Sequence, residues 1–227
     1  MTYEIKVKRC KKGTTEQYWQ SFMFEGTGEE TVAAVLDRLN TDDDLFDKDG
    51  KPADRIIWSC ACNQGICGAC SMVINSTPAL ACKTKLNSFK GNVIVLEPLT
   101  KFPLIADLKT DRTELYEAPI LHGILNEGKA KYNKKLFALE YEAAKCIKCG
   151  LCVEVCPNTG MNNHNLGAVF AVDCFLKCAQ SADKAEIKAL KKEYDKGFAQ
   201  GCSKSMSCAD HCPAKIDLRA IINNMNR

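Results

Sequence analysis

Cysteine is the residue type in excess: fifteen of the 227 residues, grouped at short and regular intervals. Cys146, Cys149, Cys152 and Cys156 fall within eleven residues. That is too tight for a disulfide framework, and a disulfide-rich secreted chain would be short and would carry a signal peptide. The other use of clustered cysteine is as thiolate, a soft ligand for zinc or for iron–sulfur clusters. Spacing separates those two, because structural zinc sites favour paired C-x2-C units.

Cys62, Cys67, Cys70 and Cys82 are spaced C-x4-C-x2-C-x11-C. The first three match the plant-type run that holds a 2Fe–2S cluster, with the fourth ligand arriving from further along. Gly65 and Gly68 lie inside that run. A loop wrapping a cluster must turn tightly and aim N–H groups at the sulfurs, and glycine permits the positive φ this needs. Cys60, two residues before Cys62, is a lesser candidate ligand.

Cys146, Cys149, Cys152 and Cys156-Pro157 read C-x2-C-x2-C-x3-C-P, the bacterial run in which the fourth cysteine ligates the other cluster. A single copy is therefore incomplete. The same steps taken from Cys202 arrive at 205, Cys208 and Cys212-Pro213, and only Ser205 departs from the template. Crossing the two copies gives Cys146, Cys149, Cys152 and Cys212 to one 4Fe–4S cluster. Cys156, Cys202 and Cys208 remain for the other. Three thiolates suit a 3Fe–4S cluster; a serine oxygen could hold a fourth iron but is a poorer ligand for it. Eleven ligands are then assigned, leaving Cys10, Cys60, Cys174 and Cys178.

The elements that must position these groups change character along the chain. Tyr3, Ile5 and Val7 alternate with Glu4, Lys6 and Lys8, which predicts a strand, and Tyr18 to Phe24 returns as its hairpin partner. Thr31 caps a helix with an apolar stripe of Val32, Val35, Leu36 and Leu39. A polar loop runs from Asp42 to Pro52, and short strands are expected at Ser71–Ile74, closed by Asn75-Ser76, and at Val93–Leu96. Asp107 to Pro119 reads as a crossing between domains, after which the pattern is helical. Leu136 to Glu140 precede the second cysteine run, and Asn165 caps a helix to about Gln180. Ser181 caps another, stopped by Gly197, and a last short helix follows Asp217. Phe170, Cys174 and Cys178 share one stripe of the Asn165 helix and read as core. His211, inside the last run, could tune the nearest cluster, and His164 is a lesser candidate to lie near a quinone.

Composition excludes other classes. With 46% hydrophobic and 26% charged residues the chain can build a core, while a net charge of +3 gives no basic face for nucleic acid or a DNA-reading regulator. No apolar run is long enough to span a bilayer, and the N-terminus lacks an apolar signal stretch or twin arginine, so a cytoplasmic protein is expected.

These runs, with Gly65-Ile-Cys-Gly-Ala-Cys70, Leu80-Ala-Cys82, Glu97-Pro-Leu and Leu104-Ile-Ala-Asp-Leu108, make the chain resemble the iron–sulfur subunits of succinate dehydrogenases and fumarate reductases over nearly its whole length. The resemblance implies an α+β chain. A plant-type ferredoxin (β-grasp) domain over 1–104 would precede an all-α bacterial-ferredoxin-like domain with two cubane-type clusters over 105–227. It also implies a wire from FAD in a partner flavoprotein through 2Fe–2S, 4Fe–4S and 3Fe–4S to a quinone. That quinone would sit at a membrane anchor of cytochrome b type, on the inner face of the cytoplasmic membrane. Succinate:ubiquinone members carry tryptophans shortly after the Cys-Pro of the first bacterial-type run; here Trp19 and Trp58 are the only ones. Pro157-Asn-Thr-Gly-Met-Asn162 is more similar to menaquinol-linked fumarate reductases, which points to menaquinone and to fumarate reduction. The alternative is the equivalent subunit of another flavoprotein enoate reductase or of a thiol-linked fumarate reductase. Thiol-linked relatives add a cysteine-rich domain, and the sequence ends fifteen residues past Cys212.

Overall fold

A computed structural model describes residues 1–41, 44–124, 130–160 and 165–227. Alternation does form a half-buried strand: in β1 (Thr2–Cys10) Tyr3, Ile5 and Val7 are all buried. β1 pairs antiparallel with β2 (Gln17–Glu25), setting Tyr3 opposite Phe24 and Ile5 opposite Phe22. Thr31 then caps α1 (Val32–Leu39) by accepting from the Ala34 N–H, and α1 buries Val32, Ala33, Val35 and Leu36. Two short strands, β3 (Leu45–Phe46) and β4 (Pro52–Ala53), pair within the segment expected to be loop. Asp42 and Asp43 lie outside the described residues.

β5 (Ser71–Ile74) turns through Asn75 and Ser76, both at positive φ, into β6 (Thr77–Leu80). Two left-handed residues in a row make the hairpin turn whose twist matches its strands. β6 is an addition to the sequence expectation: Pro78 argues against a central strand but is tolerated here, because β6 is an edge. β7 (Val93–Glu97) completes a mixed sheet in the order β2-β1-β7-β5-β6, with β7 parallel to β1 and antiparallel to β5.

The chain divides into two units, Met1–Asp111 and Arg112–Arg227. The division falls after 111 rather than after 104, because β8 (Leu104–Ala106) and β9 (Lys109–Thr110) are tied to the first unit. The tie is Asp107 (φ 43), between the two strands. Its carboxylate accepts from the Cys10 N–H at 2.9 Å and the Ile57 N–H at 2.8 Å, and pairs with the buried Arg9 Nε at 3.0 Å.

Among the described residues the second unit is built of helices. α2 (Glu114–Leu121) occupies part of the expected crossing and contains Pro119, followed by α3 (Phe137–Ala143) and α4 (Leu151–Glu154). α5 (Gly167–Gln180) is the central one, burying Ala168 to Val172, Cys174 and Phe175. Its N-cap position is Leu166, although the Asn165 side chain does accept from the Gly167 N–H. α6 (Lys184–Gly197) is capped by Asp183, not Ser181: the Asp183 carboxylate accepts from the Ala185 N–H, and Ser181 ends α5 instead. α6 stops at Gly197, where a Cβ would stand 2.6 Å from the Phe170 ring. α7 (Ser207–Asp210) and α8 (Leu218–Met225) follow, the latter capped by Asp217.

Candidate iron–sulfur centres

In the first unit the loop from Cys62 to Cys70 is turned by Asn63 (φ 52), Gly65 (φ 79) and Gly68 (φ 70). At Gly65 a Cβ would also stand 2.7 Å from Lys83 Cδ. The turns aim backbone N–H groups at sulfur: Gln64 donates to Cys62 Sγ at 3.4 Å, and Ala69 donates to Cys67 Sγ at 3.5 Å. Cys82 arrives from the turn after β6, and its Sγ lies 3.3 Å from that of Cys70. The N–H groups of Gln64 and Ile66 and the Cys67 thiol hold the Cys62 thiol down to about 6, whereas burial pushes Cys70 up to about 12. A loop that presents donors to one sulfur and buries another away from water suits a bound cationic centre that takes thiolate at both.

The second unit repeats a local structure. Positions 202, 208 and 212 stand 56 residues beyond 146, 152 and 156, and the backbone follows the same offset. Lys148 (φ 52) and Gly150 (φ 82) are left-handed, and so are Lys204 and Met206, both at φ 60. The one-turn helices α4 and α7 begin at the same step. Ser205 therefore occupies the backbone place of Cys149. The copies then cross. One cavity is lined by Cys146, Cys149 and Cys152 from the first run and by Cys212-Pro213 from the second. The other is lined by Cys156, Cys202, Ser205, Met206 and Cys208, and Cys152 lines both. Asn158 Nδ2 donates to the Gly201 carbonyl at 2.7 Å, tying the end of one run to the start of the other.

Burial pushes the Cys146, Cys152 and Cys208 thiols up, and that of Cys149 up to about 11. Buried thiols of this kind release protons to a metal rather than ionise alone. Among the described residues no three His, Cys, Asp or Glu side chains close on one point as ligands of a single ion would. Donor softness, N–H groups at sulfur and the crossed runs together fit iron–sulfur clusters.

A family model described as a 2Fe-2S iron-sulfur cluster binding domain matches residues 4–117, and one described as a 4Fe-4S binding domain matches 139–158. The succinate dehydrogenase iron-sulfur subunit of Bacillus subtilis is 29% identical over 78% of this chain and 74% of its own. The fumarate reductase iron-sulfur subunit of Wolinella succinogenes is 26% identical over 96% of this chain and 92% of its own. The chain belongs to the family of succinate dehydrogenase and fumarate reductase iron–sulfur subunits. Its fold is that of a chain in the Mycobacterium smegmatis Sdh1 complex, with a TM-score of 0.78 at 22% identity over 99% of this chain and 95% of that one.

The remaining cysteines of this family member line neither cavity. Cys10 is buried at the end of β1, its thiol donating to the Thr14 carbonyl at 3.4 Å. Cys60 is exposed and donates to Asn63 Oδ1 at 3.0 Å. Cys174 is fully buried in the core around α5, and Cys178 packs against that core, in keeping with the reading of this stripe as packing. His211 Nδ1 lies 3.0 Å from the Ser207 carbonyl, closing the α7 turn. His164 and Asn162 fall outside the described residues. Among the described residues no helix is long and apolar enough to cross a membrane.

Spacing alone did not reveal the side chains behind the ligand loops. Pro119 leaves the Leu115 carbonyl without its helical N–H donor. Lys148 Nζ reaches that carbonyl at 3.4 Å and pairs with Asp173 on α5. Arg112 Nη1 donates to the Cys149 carbonyl at 2.8 Å.

Proposed function

We propose that this chain relays electrons between FAD of a flavoprotein subunit and a quinone, menaquinone by preference, at a membrane-anchor subunit. The observation that carries the reading is the crossing of the two cysteine runs around separate cavities. Cys62, Cys67, Cys70 and Cys82 would hold a 2Fe–2S cluster. Cys146, Cys149, Cys152 and Cys212 would hold a 4Fe–4S cluster, and Cys156, Cys202 and Cys208 a 3Fe–4S cluster. When bound, such clusters supply reversible one-electron sites whose potentials follow cluster type, nearby charge and hydrogen bonds to sulfur. The chain contributes placement and electrostatics. N–H groups at Cys62 and Cys67 favour the more negative reduced state, and the apolar lining of the second unit limits water around its sulfurs.

Ser205 decides the third cluster: it stands where Cys149 stands in the other copy, and its hydroxyl lies 3.4 Å from that of Ser207. The division into a ferredoxin-like sheet unit and a helical unit serves the same end, each holding its own centres. A tryptophan-free stretch after Cys156-Pro157 favours the menaquinol-linked, fumarate-reducing branch. Anaerobic purification from the native host tests the partners. A flavoprotein and a multi-helix membrane subunit should co-purify in stoichiometric amounts; a chain isolated alone, or with a flavoprotein inactive towards fumarate and succinate, would defeat the reading.

A further inference from the structure

Lys148 stands inside the ligand loop between Cys146 and Cys149, and the cluster assignment makes no use of its side chain. Three features hold it. Its backbone is left-handed (φ 52), its ammonium pairs with Asp173, and the same ammonium reaches the Leu115 carbonyl that Pro119 orphans. Both side chains of the pair are largely withdrawn from water, at 18% and 14% exposure. Lys204, at the matching place in the other copy, is exposed. The two ligand loops thus share a backbone and differ in charge environment.

Lys148 lines the cavity ringed by Cys146, Cys149, Cys152 and Cys212, and Asp173 is absent from that lining. Both charges are felt at the Cys146 thiol, the ammonium favouring its anion and the carboxylate opposing it. In a site of low polarity, opposite charges this close to a redox centre act on it strongly and with opposite sign.

We propose that the Lys148–Asp173 pair is the element that positions the Cys146–Cys149 ligand loop on α5 and sets the reduction potential of the cluster it holds. The proposal rests on the assignment of a 4Fe–4S cluster to this cavity. The ammonium stabilises the reduced, more negative cluster, and the carboxylate behind it moderates that effect. Lys148 is a positioning residue and not a ligand.

The test is potentiometric titration of the full chain, purified anaerobically with its accompanying subunits, with the 4Fe–4S signal followed by electron paramagnetic resonance and iron content measured on each sample. Lys148→Gln should shift the midpoint down and Asp173→Asn should shift it up. The double variant should fall between them, and Lys148→Arg should stay near the wild type. Shifts of the same sign in both single variants, or none at wild-type iron content, would overturn the proposal. Should the uncharged variants lose the cluster, its retention in Lys148→Arg supports the pair as the latch, and its loss there too overturns it. A wild-type chain with four-iron signals absent altogether defeats the cluster assignment itself, and the proposal with it.

Discussion

Asp107→Ala removes one carboxylate and undoes the tie between β1, the segment entering the first ligand loop, and the β8–β9 turn. The pair it makes with Arg9 is buried, with side chains 3% and 4% exposed. Breaking such a pair costs about 3–5 kcal/mol by leaving a charge uncompensated. The lower end applies, because Arg9 keeps hydrogen bonds to Gln20 Oε1 and to the Asp54 and Arg55 carbonyls. The N–H groups of Cys10 and Ile57 lose their acceptor, at about 1 kcal/mol each. Alanine at φ 43 adds about 1 kcal/mol of backbone strain. The total is roughly 6 kcal/mol, which rivals the whole stability of a small domain. Asp107→Asn tolerates the left-handed backbone and keeps an acceptor, so about half that loss is expected. Trp19 and Trp58, the only tryptophans, both lie in the first unit, so fluorescence in a urea titration of the cluster-free chain reports its unfolding. A loss below about 1 kcal/mol for alanine, or equal damage from asparagine, would refute this account of the tie.

Ser205→Cys completes the second run and is expected to add about one iron per chain while abolishing the signal of the oxidised 3Fe–4S cluster; unchanged iron content would show that residue 205 does not face the vacant corner. In the cluster-free chain Cys62, held down to about 6, is mostly thiolate at pH 7, whereas Cys149, pushed up to about 11, is thiol. Iodoacetamide should therefore label Cys62 first, with labelling slowing as the pH falls through about 6, and equal rates at the two residues would contradict the loop geometry.

What was legible in the sequence was local. Thr31 announces its helix because a cap depends only on its own next three residues, and Asn75-Ser76 announces its turn for the same reason. Where neighbouring candidates compete, the sequence misleads. Ser181 and Asp183 both suit an N-cap, and the carboxylate wins, while Ser181 closes the preceding helix. Asp107 to Pro119 reads as a crossing, yet α2 occupies its end and runs through Pro119, where a lysine 29 positions later serves the carbonyl the proline frees. The proposed ligand sets rest on the cysteine spacings, since a ligand loop is short and its spacing is chemistry. Nothing in them points to Asp173 or Asp107, whose partners stand 25 and 97 residues away.

Metal analysis of the anaerobically purified chain, joined to paramagnetic resonance of the oxidised protein, tests the central claim most directly. Crossed runs with a serine at 205 require two, four and three irons, so about nine per chain are expected, together with the signal of an oxidised 3Fe–4S cluster. About four irons, stoichiometric zinc, or an oxidised protein lacking that signal would contradict the account.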